Sequence, residues 1–479
     1  MTSLQTGMHY PIDLEMLPVG WDMGYVGDFA LEIQPGFASG KHNKEGRGIP
    51  HIRPYNIDRL GKLDLSEIKS VDPGADTKRL HSGDVLFNNT NSPELIGKTT
   101  VVTAAGDWGF SNHMTRVVFP DAVSPKFAAY QLHYLWSRGY FLHNCVKHVN
   151  QASVSSTTLA RAVPFVKPPR GQQERIVAEI EKQFSRLDEA IANLNRVKAN
   201  LKRYKAAVLK AAVEGKLTED WRKQHPSIEP ASILLERILA QRRARWTGKA
   251  KYKESVVPDS ADLPSLPKGW IWATVEQLSI LVQYGSSAKT HEHAIGVPVL
   301  RMGNIEDGRL QLDSLKYLPK NHDEFPELFL RDGDILFNRT NSAELVGKTA
   351  VYKGKPTPCS FASYLIRVRL AQGYAPDLLA YFINSVIGRA WIAQVVSQQV
   401  GQANVNGTKL QALVVPLPPL DEQERIVAEV ERRLSVIDEL DTNVEANLTR
   451  ADRLRQSILQ QAFSGKLVIQ SNHTTVAVG

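Results

Sequence analysis

The chain carries two alternating patterns of hydrophobic and polar residues. Residues 17–165 and 266–415 have short apolar runs separated by clusters of Gly, Pro, Asn and Asp, which is typical of strands joined by turns. In the first of these segments, a helix is predicted from Lys126 to about His143. In the segments 172–217 and 422–467, apolar residues recur at alternating steps of three and four. This spacing predicts a long helix of 46 residues in each segment.

Much of the sequence occurs twice. GDVLFNNTNSPELIGK at 83–98 returns as GDILFNRTNSAELVGK at 333–348, with twelve identities in sixteen positions. QERIVAE occurs at both 173–179 and 423–429. Each globular segment opens with LP-x-GW, and each helical segment closes with GKL. Such self-similarity indicates a duplicated two-part unit that does one thing at two places.

These patterns predict an α+β fold with two mixed α/β domains. The domains are separated by two long helices, which form an antiparallel coiled coil with pseudo-two-fold internal symmetry. The predicted boundaries are a first domain at 1–165, a central helical region at 166–220, a linker with a short basic helix at 221–264, a second domain at 265–415 and a C-terminal helical region at 416–479.

The segment 1–16 has no counterpart before the second domain. We expect it either to pack as an extra segment at the far end of the pseudo-symmetric molecule or to be a disordered tail.

The helix seam combines apolar and charged residues. Its central apolar residues are Leu187, Leu194, Ile437 and Val444. Charged residues also fall on a positions of the heptad, and long side chains can extend from such sites to solvent. Alternatively, antiparallel helices with coincident centres would bring Lys198 to Asp441, and this pair would fix the register of the two helices.

The charge balance favours a polyanionic partner. Lysine and arginine outnumber aspartate and glutamate by 58 to 50, which gives a net charge of +8 and a pI near 9.2. Two cysteines, Cys145 and Cys359, exclude a disulfide framework and suit a reducing cytoplasm. The chain has neither an apolar signal region nor a run of about 18 apolar residues, so we expect neither secretion nor membrane insertion.

Signatures of an enzyme are missing from the sequence. A phosphate-binding loop needs a glycine five residues before the GK glycine and a helix after it. Here those positions are Ser92 and Ser342, and the sequences that follow are typical of strands. The HEH at 291–293 lacks the spacing that places two histidines on one helix face. These sequences predict neither ATP binding nor a zinc site.

The NNTNS and NRTNS loops are better suited to contact DNA. Each joins two predicted strands and offers Asn, Ser, Thr or Arg side chains that can bond base edges and phosphates. The alternative is a polar turn in which Asn91 and Asn341 cap their own backbone. Asn89 becomes Arg339 in the second copy, so we expect this position to read different bases in the two domains.

The candidate DNA-contacting residues are polar and basic residues at the turns of both domains. Positions shared by the two copies, such as the lysines that end the repeated loops, are predicted to hold the loop or to bind phosphate. In the first domain the candidates are Lys41, Arg47, Arg53, Asn88, Asn89, Asn91, Lys98, Lys147 and Gln151. In the second domain they are Arg301, Asn304, Asn338, Arg339, Asn341, Lys348, Gln399 and Gln402.

Taken together, the motifs resemble the specificity subunit of type I restriction-modification systems. The resemblance covers almost the entire chain: the LP-x-GW domain openings, the GD-[IV]-LF loops, the PP-x-x-EQ type of entry to the long helices, and the segment AVLKAAVEGKLTEDWRKQHP that closes the first helix. It implies two target-recognition domains, each reading one half of a bipartite, asymmetric DNA site in the major groove. It also implies that the antiparallel helices act as a ruler.

The resemblance further implies partners that carry the chemistry. This chain would be a non-catalytic, cytoplasmic protein of a prokaryote without a cofactor of its own. It would bind double-stranded DNA and two methyltransferase subunits, with restriction subunits in the full complex, and those partners would hold S-adenosylmethionine, ATP and Mg²⁺. Two alternatives remain open: a structural coiled-coil scaffold and a free-standing DNA-processing enzyme.

Overall fold

The computed structural model divides the chain into two compact units. Unit 1 comprises Met1–Asn195 and Glu445–Gly479, and unit 2 comprises Arg196–Val444. The residues that the structure describes are 10–39, 42–74, 77–103, 106–149, 151–247, 251–259, 261, 263–399 and 402–468.

The first domain is built from short strands and helices. Its strands are β1 (Asp22–Tyr25), β2 (Glu32–Pro35), β3 (Ile49–Ile52), β4 (Lys69–Val71), β5 (Val85–Asn88), β6 (Thr90–Asn91), β7 (Thr99–Val101), β8 (Gly109–Phe110), β9 (Met114–Val118), β10 (Val146–Lys147), β11 (Ala152–Ser153) and β12 (Pro164–Lys167). Its helices are α1 (Val26–Phe29), α2 (Pro125–Ser137), α3 (Tyr140–His143) and α4 (Ser156–Ala162).

The prediction of one continuous helix from Lys126 to His143 is wrong, because this stretch forms two separate helices, α2 and α3. Backbone hydrogen bonds from Arg138 to Tyr134 and from Gly139 to Trp136 close α2 before α3 begins.

Helices follow the first domain. They are α5 (Arg170–Val213), α6 (Glu219–Gln224) and α7 (Ala231–Ala244).

The second domain repeats the layout of the first. Its strands are β13 (Ile271–Thr274), β14 (Ser279–Tyr284), β15 (Val297–Leu300), β16 (Ile305–Glu306), β17 (Arg309–Leu310), β18 (Lys316–Leu318), β19 (Ile335–Asn338), β20 (Thr340–Asn341), β21 (Thr349–Val351), β22 (Ser360–Phe361), β23 (Leu365–Leu370), β24 (Ser397–Gln399), β25 (Gln402–Asn404) and β26 (Val414–Leu417). Its helices are α8 (Val275–Leu278), α9 (Pro376–Asn384), α10 (Val386–Val395) and α11 (Gly407–Gln411), and the long α12 (Leu420–Phe463) follows.

The sheets of the two domains correspond one to one. The first domain has a four-stranded sheet in the order β2-β9-β5-β7, and the second has β14-β23-β19-β21. The three-stranded sheet β4-β3-β8 corresponds to β18-β15-β22, and β10-β11-β6 corresponds to β24-β25-β20. The pairs β1-β12 and β13-β26 join the two ends of each domain. The hairpin β16-β17 of the second domain corresponds to an isolated antiparallel bridge between Ile57 and Leu63 in the first.

Each four-stranded sheet is covered on both faces. Because successive side chains of a strand point to opposite faces, Val85 and Phe87 lie in the larger core of unit 1, whereas Leu86 lies in a smaller core with Phe110. The second domain divides its GDILF strand between two cores in the same way. The repeated GD-[IV]-LF motif therefore encodes a strand that is buried on both sides.

The predicted long helices are present with shifted ends. Both α5 and α12 contain 44 residues and start two residues before the predicted positions. They end earlier than predicted because Gly215 and Gly465 adopt left-handed conformations, with φ of 68° and 71°. In both helices the N–H groups of Gly and the following Lys bond back to the last turn, which is the usual way a glycine ends a helix. The repeated GKL is thus a helix terminator.

The two long helices pack together. In unit 1, Phe184 of α5 shares a core with Ile458 of α12. In unit 2, Val208 of α5 shares a core with Ile426 of α12. The start of each helix therefore lies against the end of the other, so the pair is antiparallel. This confirms the predicted fold class.

The predicted seam residues are mostly in the interior. Leu187, Ile437 and Val444 are buried, and Leu194 is half-buried. Lys198 is exposed and Asp441 is half-buried, and the pairing of these two residues stays a prediction.

A buried glutamine ties the start of each long helix to its domain. The Gln173 side chain accepts a hydrogen bond from Ser124 N (2.7 Å) and donates to the carbonyls of Ala122 (3.0 Å) and Pro168 (2.7 Å). The Gln423 side chain does the same with Ala375 N, Gly373 O and Pro418 O. The Gln of QERIVAE therefore repeats because it satisfies buried backbone groups in both copies.

The tryptophan of each LP-x-GW motif donates a hydrogen bond to the long-helix residue that directly precedes QERIVAE. Trp21 donates its indole N–H to the Gln172 side chain at 3.2 Å. Trp270 donates to the carboxylate of Glu422 at 2.8 Å. Glu422 is fully buried and also accepts from Thr218 and Arg222. The domain opening and the helix start are thus joined in both copies.

Part of the N-terminal segment packs on the first domain. Ile12 lies in the core of unit 1, and the Tyr10 hydroxyl donates to Pro164 O at 3.1 Å. From Tyr10 onward the segment is therefore ordered against its own domain. Residues 1–9 lie outside the described part of the chain.

Within the described residues, no single helix has the length and apolar composition needed to cross a membrane. The bent pair Pro376–Asn384 and Val386–Val395 meets those criteria only when its two helices, which are inclined by 69°, are counted together.

Candidate nucleic-acid interface

The asparagines that end the GDVLF and GDILF strands hold the loops from inside. Asn88 is fully buried, and its side-chain amide donates to Leu95 O at 2.9 Å. Asn338 is equally buried and donates to Leu345 O at 3.1 Å. Both were predicted to contact DNA. Their burial and hydrogen bonds correct this to a structural role, because neither amide reaches the surface.

The aspartates of the same motif anchor the strand. Asp84 accepts from His81 N at 2.7 Å and lies 3.8 Å from Arg116. Burial raises the pKa of Asp84, against the opposing effects of His81 and Arg116. In the second copy, Asp334 forms a two-bond pair with Arg369 at 2.6 and 2.7 Å. These contacts agree with the predicted role in holding the loop.

The repeated lysines differ between the two domains. Lys98 is 5% exposed, and its ammonium group donates to the carbonyl of Ile57. Burial lowers the pKa of Lys98. The structure therefore favours an internal role for Lys98 over the predicted phosphate contact. Lys348 is half-buried and lines an 810 Å³ cavity in unit 2, together with Lys202 and Lys355.

Asn89 and Arg339 occupy equivalent positions of the repeat but have different surroundings. Asn89 is buried, and its amide donates to Asn112 O and Thr115 Oγ1. Arg339 is half-buried and donates through Nε to Ser363 O at 2.9 Å and through Nη1 to Asn404 Oδ1 at 3.3 Å. Its guanidinium lies 5.1 Å from the Tyr284 ring centre. Arg339 is therefore held in place at the surface, whereas Asn89 is a core residue.

A small three-stranded sheet supports the tip of each loop. In the first domain, β6 carries Asn91 and pairs with β11, whose partner β10 carries the exposed Lys147. Gln151, also exposed, lies in the turn between β10 and β11. Asn91 accepts from Ser92 N at 2.8 Å, so it caps its own turn as the alternative interpretation predicted.

The corresponding sheet of the second domain is β20-β25-β24. Asn341 of β20 accepts from Ser342 N at 2.8 Å, and its amide lies 3.5 Å from Met302 Sδ. Gln399 and Gln402 form a backbone pair between β24 and β25, and their side chains lie outside what the structure describes. The pairing of β20 with β25 therefore places the NRTNS loop beside the β24-β25 hairpin.

A second segment reaches the same region through a 3₁₀ turn. Asn304 is buried and accepts from Arg301 N at 2.9 Å, while its amide donates to Gln311 O at 2.9 Å. Asn56 makes the equivalent contacts beside Arg53. Asn304 is thus structural, which corrects the prediction that it contacts DNA, because its whole amide is used internally.

The arginines that precede these turns are half-buried. Burial lowers the pKa of Arg53, and the Nε atoms of both Arg53 and Arg301 are buried without a hydrogen-bond partner among the described residues. Arg301 donates from Nη2 to Ser314 O at 3.4 Å. The other first-domain candidates differ, since Arg47 is exposed beside Glu45 and Lys41 lies outside the described residues.

The second domain therefore gathers Arg301, Arg339 and Asn341 with the β24-β25 hairpin. The link runs through Met302 beside Asn341, and through Asn404 of β25 beside Arg339. Sequence reasoning missed the aromatic residues of this surface, Tyr284 and Tyr364, which are both exposed. Tyr284 is the last residue of the edge strand β14. Its signal in the sequence is an aromatic residue at the end of the apolar run SILVQY. Cationic donors beside exposed rings can bond phosphates and stack on bases.

Metal-binding clusters are missing from the described residues, where no group of three or more His, Cys, Asp or Glu side chains could hold an ion. The interface therefore consists of hydrogen-bond donors, cations and aromatic rings.

Comparison with known proteins identifies the family that the chain resembles. Residues 283–450 match the family model for the type I restriction modification DNA specificity domain. The Escherichia coli K12 EcoKI specificity subunit is 24% identical over 438 residues, which are 88% of this chain and 83% of that protein. The predicted resemblance to type I specificity subunits is confirmed. The Salmonella potsdam StySPI specificity subunit is also 24% identical, with the same two shares covered.

Two solved structures share the fold of this chain. The HsdS subunit from Thermoanaerobacter tengcongensis matches 94% of this chain and 98% of its own length, with a TM-score of 0.53 and 18% identity. A chain from a structure on complex assembly and conformational transition of the type I R-M system gives a TM-score of 0.64 at 20% identity, with 94% and 99% covered.

Proposed function

We propose that this chain is the DNA-recognition subunit of a type I restriction-modification complex. The observation that carries the proposal is its similarity to proteins named as type I specificity subunits over 88% of its length. Each of its two domains would read one half of a bipartite DNA site. The net charge of +8 suits a polyanionic partner.

The asymmetry of the site would come from the surface of the two domains. Their interiors use the same groups, such as Asn88 and Asn338, for the same hydrogen bonds. Their tips differ, because Arg339 offers a fixed cation where the first domain has the buried Asn89. Two domains with one scaffold and different surface groups would select different bases.

The long helices would set the distance between the half-sites. A helix of 44 residues spans ~66 Å at ~1.5 Å per residue. At ~3.4 Å per base pair, this limits the reach to about 20 base pairs. Both domains meet one face of the duplex only if the half-sites are near a whole number of turns apart, ~10.5 base pairs per turn.

The helices would also dock the catalytic partners. Because the exposed Glu174, Arg175 and Ala178 of QERIVAE recur as Glu424, Arg425 and Ala428, α5 and α12 offer equivalent exposed residues at their starts, which suits two identical methyltransferase subunits. S-adenosylmethionine would be bound by those subunits, and ATP and Mg²⁺ by restriction subunits in the full complex. The chain itself would be non-catalytic and would work in the cytoplasm of a prokaryote.

The decisive experiment maps methylated adenines in cells that express this chain with its methyltransferase. We expect methylation at one bipartite, asymmetric sequence, absent when the chain is omitted. Methylation without a sequence preference, and equal binding of all duplexes in competition, would support the scaffold alternative instead. DNA cleavage or ATP turnover by the purified chain alone would support a free-standing enzyme.

A further inference from the structure

In unit 1, three charged side chains join one domain loop to both long helices. Lys62 lies in the loop that follows β3, and its Nζ is 2.7 Å from Asp188 Oδ2 on α5. The other oxygen of Asp188 accepts a hydrogen bond from Arg455 of α12. The Arg455 guanidinium also lies over the Phe184 ring, 4.5 Å from its centre. Hydrogen bonds from Lys62 and Arg455 lower the pKa of Asp188 against the effect of its partial burial.

In unit 2, the corresponding loop is the β16-β17 hairpin. Arg309 of β17 lies 2.6 Å from Asp438 of α12. Asp307, at the tip of the hairpin, lies 3.6 Å from Lys205 of α5. One domain loop therefore contacts both helices in this unit as well.

The two networks use equivalent positions of the repeat. Asp188 occurs in SRLDE and Asp438 in SVIDE, 250 residues apart. Lys205 and Arg455 are separated by the same 250 residues. The helix carboxylate and the cation on the opposite helix are thus kept in both copies, although the loops that meet them have different structures.

The unit 1 network continues to the candidate recognition loop. Lys98 ends that loop and donates to the carbonyl of Ile57, a few residues before Lys62. Asp58 accepts from Lys62 N at 2.8 Å and so closes the intervening turn. His133 of α2 contacts Arg59 O at 3.2 Å from the other side. The segment between Ile57 and Lys62 is therefore held at the recognition loop and at the helix pair.

We propose that Asp188 and Asp438 are positioning residues that fix each recognition domain on its helical base. In doing so they determine how strictly the protein requires one spacing between two half-sites. This inference rests on the proposed function. Each carboxylate is about a third exposed and its loop partner is more than half exposed, so the pairs contribute little to overall stability. Their effect is instead on geometry, since each joins elements that are distant in sequence.

The test uses the full chain in complex with its methyltransferase and duplexes that carry the site found by methylation mapping. Asp188→Asn and Asp438→Asn remove the charge while keeping the shape. Affinity is measured for the mapped spacing and for spacings one base pair longer or shorter. We expect the preference for the mapped spacing to fall by about fivefold, while the base preference within each half-site is unchanged.

Neighbouring carboxylates supply a matched control. Glu189→Gln and Glu439→Gln remove the same charge from the next position of each helix, where the side chain is exposed. These variants should keep the spacing preference of the wild type. Equal loss in the control and test variants would show that net charge, and not positioning, is responsible, and would overturn the inference.

A charge exchange separates positioning from damage to the fold. Arg309→Glu combined with Asp438→Arg restores an ion pair in reversed order and should restore the spacing preference lost in Asp438→Asn. An unchanged preference in Asp188→Asn and Asp438→Asn, or no recovery in the exchange variant, overturns the inference. If the wild-type complex binds no sequence specifically, the proposed function itself fails, so the two failures are distinguishable.

Discussion

Single side chains in this protein repeat most faithfully where they are buried. The pairs Asn88 and Asn338, and Gln173 and Gln423, make matching hydrogen bonds in the two copies. A buried amide that bonds backbone groups cannot be replaced without leaving those groups unsatisfied. Identity in these pairs therefore reflects internal roles, whereas Arg339, which replaces the buried Asn89, lies at the surface that we propose contacts DNA.

Replacing Gln423 by Leu should lower the stability of unit 2. The substitution leaves Ala375 N, Gly373 O and Pro418 O without their side-chain partner in the interior. At about 1–3 kcal/mol for each unsatisfied buried group, we expect a total loss of several kcal/mol in urea unfolding. The exposed neighbour offers a control, since Glu424→Gln should change little. Equal midpoints for both variants would contradict this role.

Arg339→Ala should relax base selection in one half-site. Because Arg339 is held by Ser363 O and Asn404, its removal should reduce discrimination there by about 1–3 kcal/mol if it reads guanine. Competition binding with single-base variants of the mapped site measures this. The exposed Arg331 supplies a control for loss of one cation. Uniform weakening across all sequences would make Arg339 a phosphate contact instead.

Acidification should destabilise unit 1 through His133. Burial lowers the pKa of His133 to about 4, whereas an exposed histidine has a pKa of about 6.5. The unfolded chain therefore binds the proton first, and stability falls as the pH drops from about 6.5 towards 4, by up to ~3 kcal/mol. Urea unfolding at several pH values should show this loss in the wild type and less of it in His133→Gln. The same loss in both would rule out His133 as its source.

Burial separates candidate residues that the sequence alone does not distinguish. A polar loop sequence such as NNTNS does not reveal which amide turns inward, since Asn88, Asn89 and Asn91 have the same chemistry. The identical GK lysines also differ, because Lys98 meets Ile57 O whereas Lys348 lines a cavity. Such differences depend on segments distant in the chain, which a local pattern does not include.

At the level of elements, the two long helices and the GD-[IV]-LF strands were predictable from the sequence. The heptad spacing and the QERIVAE and GKL repeats defined α5 and α12 to within a few residues. The strand GD-[IV]-LF was expected, but its burial on both faces was not. That burial requires the three-stranded sheet β4-β3-β8 or its counterpart β18-β15-β22, which are assembled from short strands with weak signals. The β16-β17 hairpin also had no signal, because each of its strands has two residues.

Gly215→Ala should destabilise the end of α5. The residue has a φ of 68°, and an added Cβ would lie 2.7 Å from Pro267 Cγ and 2.9 Å from Trp270 Cζ2. We expect a loss greater than about 1 kcal/mol in thermal or urea unfolding. Gly171→Ala is the control, because that glycine lies in the first turn of α5 with open space around it. This control should be neutral or stabilising by up to about 1 kcal/mol, and a matching loss in both variants would contradict the argument.

At the scale of the whole molecule, the core of unit 1 includes the end of α12, and the core of unit 2 includes the end of α5. The core of unit 1 contains Ile458, Leu459, Ala462 and Phe463. The core of unit 2 contains their counterparts Val208, Leu209, Ala212 and Val213, each 250 residues earlier. The repeat predicted a domain followed by a long helix in each half, but it did not indicate which core contains the end of each helix.

Truncation near Asp220 should give a half-molecule that pairs with itself. The fragment lacks Ile458 and Phe463 but keeps Val208 and Val213, so two copies can complete each other's cores. Light scattering should report a dimer, and with the methyltransferase the fragment should recognise a symmetric site. Val208→Asp in the same fragment should abolish pairing. A strictly monomeric, non-binding fragment would count against this interpretation.

The exchange of helix ends between the two cores also determines the order in which the chain can finish folding during synthesis. Unit 2 is one continuous stretch, Arg196–Val444, whereas unit 1 needs residues from Glu445 onward. Domains usually fold from the N-terminus as they emerge from the ribosome. Here the first domain made is the last to complete its core, because Phe463 is translated after the whole of unit 2. An interrupted chain would therefore release a finished second domain attached to an incomplete first one.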